Sequence, residues 1–311
     1  MDPKRFIAEQ VEAIQRTVQE GTALSALSGG VDSSVATALA HRALGERLAV
    51  VFIDDGLMRE DEPREVEEGF AELGIEVQVV DARQRFFEAL AGQTDPEDKR
   101  KAFRHIFYRV LGEQVKATGA SHLVQGTIAA DVVETRRGVK TQHNVLEQIG
   151  IDSHAGYGFR VIEPLKTLYK PDVRRVGKAL GLPAILYQRM PFPGPGLATR
   201  CLGEVTPERV EVVRRACKIV EEETRRQAPF QAFAVLMADR ATGLDEEGRR
   251  TFADMVAVRC VESENAMTAS PSRLSWQKLA RIRNRILEEC PTVSKVLYDL
   301  TPKPPSTIEY I

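Results

Sequence analysis

From Ala26 to Ser34 the chain reads ALSGGVDSS. Two glycines, three serines and an aspartate stand between an apolar run and a helix-patterned one. A strand that enters such a loop and leaves it as a helix presents backbone N–H groups at the helix N-terminus. Those groups and the helix dipole favour an anion, above all a phosphate. Glycines let the backbone approach closely, and serine hydroxyls add donors. The loop is not a Walker A motif, which needs G-x-x-x-x-G-K-S/T, and no lysine closes it. It therefore need not be built around transfer of a terminal phosphoryl group. Asp32 is the odd member, because a carboxylate beside phosphates is repulsive unless a cation intervenes. A Mg2+ held between Asp32 and phosphate oxygens would resolve this. The same residues also fit a plain turn in which Asp32 caps the helix.

The elements that must position this loop follow from periodicity. Phe6, Val11, Ile14 and Val18 recur at helical spacing, then Thr22 to Leu27 reads as a short strand. Val35, Ala36, Leu39, Ala40 and Leu44 mark a helix face after the loop. Leu48 to Ile53 is a continuous apolar run, as in a buried parallel strand. Val66, Phe70 and Leu73 mark a helix, and strands are expected at Ile75 to Val80 and Ser121 to Gln125. Strands alternating with helices imply an α/β fold with a doubly wound parallel sheet. Polar stretches at Gly92 to Arg104 and Thr127 to Tyr157 interrupt the alternation, and the second is expected to be a lid. A helix beginning near Pro171 closes at Gly181-Leu182-Pro183. Pro191 to Leu197, PFPGPGL, allows neither helix nor strand and is the best domain boundary.

Beyond that loop the pattern becomes α+β. A helix is expected over roughly Thr206 to Gln227, with strands at Gln231 to Leu236 and Thr251 to Val261. A helix carrying Leu274, Leu279, Ile282 and Ile286 precedes a strand at Val293 to Leu300, and the proline-stiffened tail reads as extended. The expected division is residues 1–190, a linker at 191–202, and a smaller α+β domain over 203–311.

Composition removes several function classes. The 311 residues are 43% hydrophobic and 28% charged with a net charge of −2, which speaks against a general nucleic-acid binder. No apolar run approaches the about 18 residues of a membrane span, and the N-terminus lacks the apolar core of a signal peptide. Cys201, Cys217, Cys260 and Cys290 are scattered, so no C-x-x-C metal pair exists. Scattered thiols fit a reducing, cytoplasmic setting as buried small apolar residues.

SGGVDSS resembles the loop of the ATP pyrophosphatase (PP-loop) superfamily, whose fold is adenine nucleotide α-hydrolase-like. VFIDDGLMR, DPEDKRK, QGTIAADVVET, KTQHNV, EPLKTLYK, PFPGPGL, Met267 to Ala269 and KPPSTIE narrow the resemblance to the GMP synthase family. The opening MDPxxF is similar to the family's stand-alone ATP-pyrophosphatase subunit, the B type. The resemblance implies a ligase of purine biosynthesis. ATP adenylates XMP at the C2 oxygen with release of pyrophosphate, and ammonia then displaces AMP to give GMP.

Carried over residue by residue, Ser28, Gly29, Gly30, Val31, Asp32, Ser33 and Ser34 match the pyrophosphate loop, and Asp32 the magnesium-associated aspartate. Ile53, Asp54 and Asp55 end a strand at the edge where open α/β sheets bind ligands, here adenosine. For Asp54 and Asp55 a helix cap fits equally well. Asp131 and Glu134 lie three apart, on one face of a helical turn, and match acidic residues that organise magnesium and adenylation. Lys140 and His143 would approach the phosphates; many members carry two histidines where this chain reads Gln142-His143. Lys166 and Lys170 would offer charge to pyrophosphate, or lie as solvated surface charge. For XMP, the matching residues are Arg100, Pro193, Gly194, Gln231, Lys303 and Glu309. The C-terminal domain resembles the family's dimerisation domain, so a homodimer is implied. Glutamine hydrolysis would fall to a separate glutamine amidotransferase subunit, since none of the four cysteines sits in a glycine-framed turn. Three other readings compete. NAD synthetase would need neither PFPGPGL nor KPPSTIE. A tRNA-thiolating enzyme would show paired cysteines and a basic surface. A non-catalytic ATP-binding sensor would not need Asp32, Glu134, Lys166 and Lys170 together.

Overall fold

The computed structural model describes residues 1–136, 159–244, 247–264 and 266–311, without the side chains of 133–136. Most of the expected lid, with Lys140, His143 and the Glu134 side chain, lies outside the described residues. The chain packs as two compact units. One takes residues 1–54, 61–82 and 105–189, and the other takes 55–60, 83–104 and 190–311. The second unit thus draws two segments from the first half of the chain.

In the first unit, α1 (Pro3–Val18) starts where the Asp2 carboxylate accepts from the Lys4 N–H and Pro3 takes the first helical position. Its Phe6, Ile7, Ile14 and Val18 are buried. The strands are β1 (Ala23–Leu27), β2 (Leu48–Asp54), β3 (Gln78–Asp81), β4 (His122–Val124) and β5 (Arg160–Ile162). All neighbours pair in parallel, in the order β3-β2-β1-β4-β5. β1 therefore sits at the switch point, with β2 on one side and β4 on the other, where open α/β sheets form a ligand crevice at their carboxyl edge. The doubly wound expectation holds. α2 (Val31–Leu44) follows β1 and is buried almost all round, with Val35, Leu39 and Ala40 fully enclosed. α3 (Glu62–Ala71) follows β2.

Several expectations shift in position. The strand near Ile75 begins only at Gln78, where pairing with Val51 starts, while Ile75 and Val77 are buried in the approach. The polar stretch at Gly92 to Arg104 is not a loop throughout. After the short α4 (Arg83–Leu90), α5 (Pro96–Thr118) starts inside it, its N-terminus capped by the Asp95 carboxylate, which accepts from the N–H groups of Glu97 at 2.8 Å and Asp98 at 3.1 Å. Its first turns are charged on every side, so no apolar period announces them. α6 (Ala129–Arg136) follows β4, and α7 (Lys170–Ala179) and the one-turn α8 (Ala184–Tyr187) follow β5.

The second unit holds α9 (Pro207–Thr224), capped by Thr206, and a sheet of β6 (Gln231–Leu244), β7 (Arg250–Glu262), β8 (Ser270–Pro271) and β9 (Val293–Tyr298). β7 pairs antiparallel with β6 and β8 and parallel with β9. β6 runs well past the expected Leu236, into residues exposed on both faces. α10 (Trp276–Glu289) lies before β9. The tail is not simply extended. Lys303 bridges to Ala269, and the buried Arg259 guanidinium donates to the Thr307 and Ile308 carbonyls.

Candidate active site

β1 ends at Leu27 and α2 begins at Val31, so Ser28, Gly29 and Gly30 make the turn. Gly29 takes a left-handed conformation with φ of 69°, which only glycine adopts without cost. The loop is braced from within. Ser33 Oγ accepts from the Ser28 N–H at 3.3 Å, meets Ser28 Oγ at 3.0 Å and donates to the Gly30 carbonyl at 3.0 Å. The Ser34 hydroxyl and N–H also donate to that carbonyl, at 2.9 and 3.1 Å. Beneath it the buried Ser25 and Thr37 hydroxyls meet at 2.7 Å.

Asp32 does not cap α2; its N-cap Gly30 receives no side-chain bond. Its Oδ2 accepts instead from Lys170 Nζ at 2.6 Å. Its Oδ1 is buried and has no hydrogen-bond partner among the described residues. Burial raises the Asp32 carboxyl above the ordinary range, Lys170 opposes this, and Asp131 adds to it. Lys170 opens α7, so a cation stands at the positive end of a helix dipole. Two helix N-termini and a lysine thus surround one carboxylate. That excess of positive potential suits an anion larger than a carboxylate. Arg174, one turn into α7, is half-buried and feels the Asp32 charge.

Asp131 Oδ2 accepts from the Ile128 N–H at 3.0 Å, which fixes the start of α6, and the Ala129 N–H donates to the Leu168 carbonyl. Lys166 is exposed and makes no side-chain hydrogen bond among the described residues. Ile53 is buried, and Asp54 closes β2 with its carbonyl accepting from Ala82. Asp55 is buried and its carboxylate accepts from the Leu57 N–H at 2.7 Å, a turn-forming role. The orphaned Oδ1 of Asp32 fits a Mg2+. That ion is usually bound by one or two carboxylates together with substrate phosphates. No larger group of candidate ligands stands among the described residues.

In the second unit the structure joins some of the other candidates. Glu309 receives Arg200 Nη2 at 2.9 Å and Nε at 3.2 Å, and Gln231 Nε2 also donates to it. Gln231 Nε2 lies 3.3 Å from the Pro191 carbonyl. Arg200 is fully enclosed beside the Phe192 and Phe233 rings, and the Arg59 guanidinium also lies over Phe192, 4.2 Å from its centroid. Pro193 accepts from the Gly196 N–H; a Cβ on Gly196 would meet the Leu57 carbonyl oxygen at 2.3 Å. Nothing crowds Gly194. Lys303 Nζ donates to the Ala266 carbonyl at 2.8 Å. Arg100 pairs only with Glu97, at 3.4 Å, among the described residues.

The family model for the GMP synthase C terminal domain matches residues 218–310, and that for NAD synthase matches residues 5–195. The B-type subunit of GMP synthase (glutamine-hydrolyzing) from Archaeoglobus fulgidus is 49% identical over 311 residues, covering 100% of both chains. The protein of the same name from Pyrococcus horikoshii is 48% identical over 316 residues, again covering 100% of both. The chain belongs to this family of GMP synthase subunits. The NAD synthase match ends at residue 195, whereas these relatives continue through the C-terminal unit. An NH3-dependent NAD synthetase from Campylobacter jejuni aligns over 93% of this chain and 94% of its own, at 15% identity and a TM-score of 0.47. That likeness is too slight to carry an argument.

Sequence reasoning about this member of the GMP synthase family missed three supports of the site. A Cβ on Gly126 would lie 2.7 Å from the Asp32 carbonyl carbon and the Ser33 nitrogen, so the end of β4 touches the loop backbone. Arg189 donates to Glu62 and Glu65 beside Gly29. Arg200 holds Glu309. Only Gly126, inside QGT, carried a signal, that of a glycine just after a buried strand.

Proposed function

We propose that this chain makes GMP from XMP as a C–N bond-forming ligase. ATP adenylates the XMP C2 oxygen, pyrophosphate leaves, and ammonia displaces AMP. The observation that carries the chemistry is the glycine loop whose Asp32 keeps one buried oxygen unpartnered beside Lys170. A phosphoryl-transfer loop would place its lysine at the loop's end. Here the cation comes from a different element, the first residue of α7.

The residues divide the work. The loop N–H groups at the α2 N-terminus orient the departing diphosphate. Lys170 and Lys166 balance its charge, and the buried Asp32 carboxylate would stay paired, with a Mg2+, when Lys170 turns to a phosphate oxygen. Asp32 would hold Mg2+, which when bound with ATP neutralises charge on the leaving group. Gln231, Glu309, Lys303, Arg100, Pro193 and Gly194 are assigned to XMP. Support for Gln231 and Glu309 comes from their sharing one polar cluster around Arg200. The ammonia source is a separate glutamine amidotransferase subunit; the relatives are named as one subunit of a glutamine-hydrolyzing enzyme. The C-terminal unit is assigned to a homodimer, supported by exposed Trp276, Leu297 and Leu300. A cytoplasmic setting fits the four unpaired, buried cysteines, and no helix among the described residues is long and apolar enough to cross a membrane.

The test is pyrophosphate release from ATP, Mg2+ and ammonium, with and without XMP. Release strictly dependent on XMP, with AMP as co-product, is the expected result. ADP and orthophosphate as products would overturn the reading, and XMP-independent release would return it to another PP-loop ligase.

A further inference from the structure

Arg189 ends the first unit, directly before the Pro/Gly loop, and its guanidinium is used on four acceptors. Nε donates to the Ile185 carbonyl at 2.9 Å. Nη2 donates to Glu65 at 2.7 Å. Nη1 donates to Glu62 at 2.7 Å and to the Gly29 carbonyl at 3.3 Å. The Arg189 side chain is 9% exposed and that of Glu62 1%. Arg174 holds the same turn from behind, donating to the Tyr187 and Arg189 carbonyls at 3.0 Å. The Glu62 carboxylate also abuts Gly29: a Cβ there would lie 2.1 Å from its Oε1.

A trans peptide sets its C=O and the next N–H on opposite sides. Fixing the Gly29 carbonyl therefore fixes the direction of the Gly30 N–H. The following peptide is fixed in the same way, by Ser33 and Ser34 at the Gly30 carbonyl. Serine braces one peptide from inside the loop, and Arg189 braces the other from outside. Between two glycines the unbraced peptide would flip readily. A flip would turn a carbonyl oxygen toward the anion.

We propose that Arg189 is a positioning residue for the pyrophosphate loop, locking the Gly29–Gly30 peptide so that the Gly30 N–H stays available to the diphosphate. It acts through Gly29 and touches no phosphate. The two glutamates neutralise it and hold its fork in place, a geometry that lysine cannot copy. The inference rests on the loop's binding of pyrophosphate as read above.

The probe is inorganic pyrophosphate with Mg2+, titrated calorimetrically into the full chain, alongside steady-state kinetics. Arg189→Lys is expected to weaken pyrophosphate binding and raise the KM for ATP by about tenfold, the size of one charged hydrogen bond, with the KM for XMP unchanged. Glu65→Gln removes one arm of the ion pair and leaves the Gly29 contact. It should lower the melting temperature while pyrophosphate binding stays within twofold. If Arg189→Lys does not fold, the paired change Glu62→Gln with Arg189→Gln leaves no unpaired buried charge there and carries the same expectation. Pyrophosphate binding within twofold of the parent in the Arg189 variants overturns the proposal. So does an equal loss in Glu65→Gln, which would mark the ion pair as support for the fold alone. A parent chain that binds no pyrophosphate removes the loop reading itself, a result distinct from either.

Discussion

Asp32 meets two opposed demands. Its burial disfavours the charge that its pairing with Lys170 uses, and burial is the larger effect, so its pKa is raised. The native state therefore keeps this proton to higher pH than the unfolded chain does. Stability contributed by the group is fullest at low pH and falls as pH rises from the unfolded carboxylate range through the raised native one. Asp32→Asn removes that fall. Lys170 is 40% exposed and remains solvated without its partner. Asp32→Asn should melt above the parent by about 2–4 °C at pH 8, with the gap shrinking toward pH 4, while pyrophosphate release is lost. Calorimetric melts at the two pH values check this; a parent that melts higher at pH 8 would show the Lys170 pair outweighing burial. Gly29 is constrained in a different way. Gly29→Ala meets both a left-handed backbone and the Glu62 carboxylate, so it should cost about 1–3 kcal/mol in chemical unfolding and weaken ATP binding.

The elements set where those residues can act. β1 and β4 are neighbours at the switch point, and the end of β4 comes so close to the loop that only glycine fits at 126. Gly126→Ala would press on the Asp32 and Ser33 backbone, which cannot yield as a flexible side chain could. It should cost about 1–3 kcal/mol of stability and raise the KM for ATP more than that for XMP, measured in the pyrophosphate assay. The loop, the strands on either side of it and α2 were legible in the sequence because each has a strong local signature: an unbroken apolar run, a helical period, a glycine-serine cluster. The first turns of α5 were not, since charges surround them and only Asp95-Pro96 marks the cap. Arg189 was not legible either. Its partners Glu62 and Gly29 are far off along the chain, and contacts made by tertiary packing leave no spacing to read. The same holds for Arg200, whose tie to Glu309 spans most of the C-terminal unit. Asp55 was readable in type but not in role; its buried carboxylate forms a turn.

At the scale of the whole molecule the question is where ammonia comes from. Release of ammonia from glutamine by a cysteine nucleophile needs a thiolate that the substrate can reach. All four cysteines are buried. Burial pushes the thiols of Cys260 and Cys290 up to about 11, and those of Cys201 and Cys217 also upward. Near neutral pH each is held as the protonated thiol, out of reach of solvent. The chain by itself should therefore run on ammonium and stay inactive with glutamine, and activity with glutamine should return when the amidotransferase subunit is added. An aromatic disulfide reagent should label none of the four thiols in the folded chain over minutes at pH 8, and all four in denaturant. Treatment with that reagent should leave the ammonium-dependent rate unchanged. Rapid labelling of one thiol together with glutamine-supported turnover by the chain alone would place the ammonia-releasing step within this protein and make the amidotransferase unnecessary.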